Sequence, residues 1–204
     1  MESKDYLDSI NKLSYTEDEL YLHEYAKAND VPIIQDEGVA LLRQLVKIKN
    51  PARILEIGTA IGYSALNMAR FSNAIIDTIE INPESYHFAL EFISKTAYKE
   101  RINLILGDAL DVDIDNQYDF IFIDAAKAQY IKFFEKFKRN LNKSGIIFTD
   151  NLIFHGLVTE EIHSRNLRQL VTKIKKYNEW VLEQDDFDTY IYNIGDGIAI
   201  SIKK

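Results

Sequence analysis

The 204-residue chain has no cysteine. Disulfide frameworks and thiolate metal sites are therefore excluded. No apolar run reaches the roughly 18 residues that a membrane-spanning helix needs. The opening Met1-Glu2-Ser3-Lys4-Asp5 lacks the basic and then apolar layout of a secretory leader, so the expected location is cytoplasmic. Positive charge is also short, with 24 Lys and Arg against 32 Asp and Glu and a net charge of -8. A bulk electrostatic grip on nucleic acid is thus not expected, and an RNA partner would need a local basic patch. Repeats, low-complexity tracts and linker-like boundaries are absent as well, which predicts one domain.

The composition, 47% hydrophobic and 27% charged, is that of an ordinary globular domain with a substantial core. Its most informative stretch is Ile54-Leu55-Glu56-Ile57-Gly58-Thr59-Ala60-Ile61-Gly62-Tyr63-Ser64. This reads as a strand, a tight glycine turn and a helix start, the place where doubly wound α/β domains hold nucleotide-like cofactors. Gly58 and Gly62 bracket the turn, but Ala60 stands between them. A Gly-x-Gly-x-x-Gly dinucleotide fingerprint is therefore missing, which argues against a pyrophosphate and for S-adenosylmethionine (SAM). The next apolar run ends in Glu80, whose carboxylate could accept from a ribose diol.

Hydrophobic periodicity predicts two helices in residues 4–30 and another over 36–48, with Asp36 as its cap. Together they form an N-terminal helical extension, 1–50, to a Rossmann-like core, 51–204. From Pro51 onward, strands are predicted at 53–57, 75–80, 102–106, 118–123 and 145–149, and helices at 62–71, 83–97, 128–140 and 159–178. Two final strands, 189–194 and 198–202, flank Gly195-Asp196-Gly197, a hairpin signal. The expected fold is α/β: a mostly parallel seven-stranded sheet closed by a C-terminal antiparallel hairpin, as in SAM-dependent methyltransferases. The N-terminal helices carry apolar stripes beyond what the sheet requires, which suggests a homodimer.

Parallel strands present their C-terminal ends on one edge, where ligands bind. Asp124 follows the strand ending at Ile123, and Asp150 and Asn151 follow the strand ending at Thr149. If those ends are neighbours, two carboxylates and an amide oxygen meet there, an oxygen-only set that favours Mg²⁺ or another hard divalent cation. Each acid could instead cap a helix or make a turn. Asp108 in Gly107-Asp108-Ala109 could accept from an adenine amino group or serve a turn. Lys127 could steer or deprotonate an anionic acceptor, or be a solvated lysine. His23, His87, His155 and His163 show no metal spacing. A basic run on a predicted helix, His163, Arg165, Arg168, Lys173, Lys175 and Lys176, reads either as phosphate contact or as a solvated face.

Three motifs together, Glu56 to Ser64, Phe122-Ile123-Asp124-Ala125-Ala126-Lys127 and Thr149-Asp150-Asn151, resemble the cation-dependent O-methyltransferases of the catechol and caffeoyl-CoA type. The resemblance runs from about Val31 to the C-terminus. Within that family, stretches such as Val31-Pro32-Ile33-Ile34 and Gly195-Asp196-Gly197-Ile198-Ala199-Ile200-Ser201 are similar to the bacterial tRNA 5-hydroxyuridine methyltransferases, which act at the wobble position. The resemblance implies SAM contacts at Ile34, Ser64, Glu80, Asp108, Ala109 and Asp124. It implies Mg²⁺ ligands at Asp124, Asp150 and Asn151; Asp124 and Lys127 are the candidate catalytic residues. For a tRNA anticodon stem-loop, the possible contacts are Arg165, Arg168 and Lys173. The alternative acceptor is a catechol-like small molecule.

Overall fold

A computed structural model describes residues 3–204; Met1 and Glu2, part of the stretch read against a leader, lie outside the described residues. Seven strands form one sheet in the order β3-β2-β1-β4-β5-β7-β6. They are β1 (Arg53–Ile57), β2 (Ile75–Glu80), β3 (Ile102–Leu106), β4 (Tyr118–Ile123), β5 (Leu141–Thr149), β6 (Phe187–Tyr192) and β7 (Ile198–Lys203). β1 to β5 run parallel, and β7 pairs antiparallel with both β5 and β6. The hairpin read from Gly195-Asp196-Gly197 therefore closes the sheet. The chain winds outward from β1 in one direction to β2 and β3, then returns to place β4 on β1's other side. That makes the gap between β1 and β4 the switch point, where open α/β sheets bind ligands.

The central strands β1, β4 and the end of β5 are mostly apolar because helices cover both faces. One face carries Ile54, Ile76, Phe120, Phe122 and Phe148 under α2 (Glu17–Ala28), α3 (Asp36–Lys49), α4 (Tyr63–Arg70) and α5 (Pro83–Ile93). The other carries Leu55, Ile57, Ile121, Ile123 and Ile147 under α6 (Tyr130–Phe137) and α7 (Arg165–Leu182). A further helix, α1 (Ser3–Ile10), precedes them. Phe120, Phe122 and Phe148 are fully buried, each contributing roughly 1.5–3 kcal/mol of transfer free energy. Among the described residues no helix is long and apolar enough to cross a membrane.

Four expectations need correction. Asp36 is not the cap of α3; Gln35 is, and Asp36 is the first helical residue, its carboxylate 3.9 Å from His23 and well placed against the helix's positive end. β5 starts at Leu141, not 145. Leu141 pairs with Tyr118, and Ser144 then takes a left-handed conformation, so Asn142 to Gly145 form an irregularity within the strand rather than the turn their composition suggests. α5 stops at Ile93, where Ser94 caps it, four residues short of the apolar pattern. α7 begins at Arg165 rather than 159, because Leu157–Thr159 form only a short 3-10 turn that ends at Glu160 in extended backbone.

Candidate active site

The turn after β1 is shaped by contact with the turn after β4. Gly58 has φ +102°, and a Cβ built there would lie 2.1 Å from the Asp124 carbonyl oxygen. Only glycine tolerates both the conformation and the approach. The Asp124 amide donates to the Ile57 carbonyl at 3.0 Å, and the Asp150 amide donates to that of Ile123 at 3.2 Å. The ends of β1, β4 and β5 are thus tied in series. Asp124 and Asp150 follow the paired residues Ile123 and Thr149, so they sit on strands about 4.8 Å apart.

These ends open into a cavity of about 580 Å³. Ile34, Gly58, Ser64, Glu80, Asp108, Ala109, Asp124, Lys127 and Asn151 all line it. Asp150 does not line it; it is 2% exposed and lies just behind Asn151, whose backbone amide donates to Asp150 Oδ1 at 2.7 Å. Arg165, Arg168 and Lys173 are not in the cavity; all three are exposed on α7.

At the Gly58 end, the floor is a hydrogen-bonded network around Glu56, fully buried in the middle of β1's end. Ser64 and Thr78 donate to its two carboxylate oxygens, and Thr78 also meets Thr59. Burial pushes the Glu56 carboxyl up to about 8, against the downward pull of those two hydrogen bonds. Glu80 accepts the Ala60 amide at 2.8 Å and the Asn82 amide at 2.8 Å, which fixes the acid against the glycine turn. Asp108 accepts the Leu110 amide at 2.8 Å, a turn contact that leaves its other oxygen open to a ligand.

At the other end, Lys127 opens a short 3-10 turn ahead of α6, and its ammonium donates to Asn151 Oδ1 at 2.7 Å. Burial raises the Asp124 carboxyl, with the Lys127 ammonium pulling it down and Asp196 pushing it up. Burial also raises Asp150, and the neighbouring Asp124 charge adds to it. Two carboxyls raised by burial, with the Asp124 charge pushing Asp150 further up and an amide oxygen already turned to a cationic side chain, make a donor set that fits a hard divalent ion. Among the described residues no three His, Cys, Asp or Glu side chains gather as a metal site; the set here depends on the amide.

Three contributors were not foreseen. Glu56 stood inside the quoted motif, and an acid within an apolar strand was the available signal. Tyr130 donates to the Asp150 carbonyl at 3.0 Å from within α6, a contact that no sequence spacing marks. Asp196, read only as a turn residue, lines the cavity beside Asn151.

A parallel sheet closed by an antiparallel hairpin, with its ligand cavity at the switch point, defines the methyltransferase class of doubly wound proteins. The chain belongs to the O-methyltransferase family, whose profile it matches over residues 11–204. It is 29% identical over 189 residues to a caffeoyl-CoA O-methyltransferase of Populus kitakamiensis, covering 87% of this chain and 80% of that one. A Staphylococcus aureus structure, named provisionally as a caffeoyl-CoA O-methyltransferase, is 40% identical with a TM-score of 0.91, covering 98% and 99% of the two chains. An SAH-bound methyltransferase of Podospora anserina, 23% identical, shares the fold with a TM-score of 0.88 over 98% and 93%.

Proposed function

We propose that the protein transfers a methyl group from SAM to one of two adjacent oxygens on an acceptor, with a divalent cation, Mg²⁺ in the first instance, held by Asp124, Asp150 and Asn151. The observation that carries this reading is the contact between Gly58 and Asp124, which joins a cofactor-type turn to a cluster of oxygen donors in one cavity. The cavity's volume suits a ligand of SAM's size. The Podospora anserina neighbour holds SAH, the demethylated product of SAM, in the same fold.

Each residue has a task in this reading. Glu80 receives the ribose diol, Ser64 and Ile34 flank the methionine portion, and Asp108 and Ala109 meet the adenine. The cation, when bound, supplies Lewis-acid charge that favours the ionised form of an acceptor oxygen near neutral pH. Lys127, as an ammonium, donates from Nζ to the acceptor oxygen and steadies its ionised form; to take the acceptor's proton it would first have to lose its own to solvent. The rest is orientation, worth ~7–11 kcal/mol where reacting atoms are well aligned.

A catechol-type small molecule is the acceptor that the names of the similar proteins favour. A second reading, 5-hydroxyuridine at the tRNA wobble position, whose O4 and O5 form the same kind of pair, is supported by the exposed Arg165, Arg168 and Lys173 on α7. Purified protein with SAM and Mg²⁺ should be offered a catechol and, separately, tRNA carrying 5-hydroxyuridine. If tRNA is the acceptor, Arg165→Ala with Arg168→Ala weakens its methylation and flattens its salt dependence. If the small molecule is the acceptor, neither changes. Methylation of neither compound sinks the proposal of an adjacent-oxygen acceptor. Exposed Tyr6, Leu7, Ile10, Leu20 and Tyr21 on α1 and α2 support pairing of two copies as a homodimer.

A further inference from the structure

We infer that Asp196 is the positioning residue that keeps the Asn151 amide oxygen turned toward the cation, an inference that rests on the metal role proposed above. Asp196 is 4% exposed, sits between Gly195 and Gly197 in the hairpin turn, and lines the cavity behind Asn151. Its Oδ2 lies 3.4 Å from Asn151 Nδ2. Its Oδ1 accepts the His155 amide, and its own carbonyl accepts the Ile153 amide at 2.8 Å. The hairpin turn therefore grips the 151–156 loop, where Asn151, Phe154, His155 and Gly156 all hold positive φ.

The two faces of the Asn151 amide meet opposite charges. Oδ1 receives the Lys127 ammonium at 2.7 Å, while Nδ2 faces a carboxylate. Reversing the amide would set donor against ammonium and oxygen against carboxylate. Only one orientation satisfies both neighbours, and it is the one that offers oxygen to a cation. An NH₂ group in that place could not coordinate, so the orientation decides whether the third ligand exists. Asp196 is also why an amide suits position 151: an aspartate there would face the Asp196 carboxylate directly.

This predicts coupling that a merely structural aspartate would not show. In Asp196→Asn, the His155 amide still needs the one side-chain oxygen, so an NH₂ group turns to Asn151 and drives its amide round. Adding Asn151→Asp gives that NH₂ group an acceptor and returns an oxygen to the cation. Wild type, both single variants and the double variant should be titrated with Mg²⁺ alone by calorimetry and melted without metal. Asp196→Asn is expected to weaken Mg²⁺ binding about 10–100-fold, the range for removing an outer partner of a metal ligand. The double variant is expected to bind about tenfold or more tightly than the two single effects combined would give. In the metal-free melts, Asp196→Asn should raise the melting temperature of Asn151→Asp, although it lowers that of wild type. Two changes that act independently in both readouts, in a wild type that does bind Mg²⁺, overturn the Asp196 assignment alone. A wild type that takes no Mg²⁺ overturns the cation reading and the assignment with it.

Discussion

At the Gly58 end of the cavity, Glu56 and Glu80 have their oxygens met by Ser64, Thr78 and two backbone amides. At the Lys127 end, the ammonium donates to Asn151 and draws down the Asp124 and Asp150 carboxyls, yet burial raises both. One end is complete as it folds. At the other, Asp124 and Asp150 hold their protons more tightly than free carboxyls do. In the proposed reading the difference is functional: the side chains that meet the cofactor are already held in place, whereas an incoming cation would draw Asp124 and Asp150 into the ionised form that burial disfavours.

The largest expected effect breaks the comparison at the charged end. Asp150→Ala removes a donor that does not line the cavity and so leaves the cofactor end untouched. Turnover should fall on the order of a thousandfold, matching the several kcal/mol that a Lewis acid supplies. SAM binding, read by calorimetry, should be little changed. Equal loss of SAM binding and turnover would mean that the two ends are not separable, and unchanged turnover would remove the metal reading.

A second substitution attacks the seam between the ends. Gly58→Ala places a methyl group where 2.1 Å separates it from the Asp124 carbonyl, at a φ of +102°. The backbone must shift at β1, β4 or both. A loss of about 3 kcal/mol in denaturant unfolding is expected from the strain and crowding together. Both SAM and Mg²⁺ affinities should drop, since one turn serves both ends. Loss of only one would show that the seam transmits less than its geometry implies.

Much of this was legible in the sequence because the signals were local. The turn at Gly58, the acids following Ile123 and Thr149, and the hairpin at Gly195-Asp196-Gly197 each announce themselves within a few residues, and parallel-strand topology gathers the first two at one edge. What was not legible is tertiary. Asn142-Lys143-Ser144-Gly145 has turn composition, yet the pairing of Leu141 with Tyr118 draws it into β5. The apolar pattern continues through 157–164, yet a 3-10 turn ends at Glu160 in extended backbone and delays α7 to Arg165, while the loop before it is held by Asp196 in the hairpin. Asp196 reads as a turn residue because it is one; only the fold shows that its side chain also faces Asn151. Glu56 is similar, since nothing local says that Thr78 and Ser64 will close over it.

The smallest effect, taken per pH unit, sharpens the comparison at the satisfied end, because it asks whether Glu56 keeps its proton there. The Glu56 carboxyl is raised by burial from 4.5 to about 8. Between those values the folded state keeps the proton and the unfolded chain does not. Fewer protons are then bound on unfolding, so stability falls as pH rises: the favourable contribution is whole below the unfolded value and is lost on the way up to the folded one. The slope from this one group approaches at most about 1.4 kcal/mol per pH unit. Glu56→Gln keeps the shape and cannot ionise, so its metal-free unfolding free energy should lose less across the same window than wild type does. The carboxylates at the Lys127 end titrate in both proteins, and the difference between the two curves isolates Glu56. Parallel curves would mean that Glu56 is ionised beneath the cofactor turn, and that its hydrogen bonds from Ser64 and Thr78 outweigh its burial.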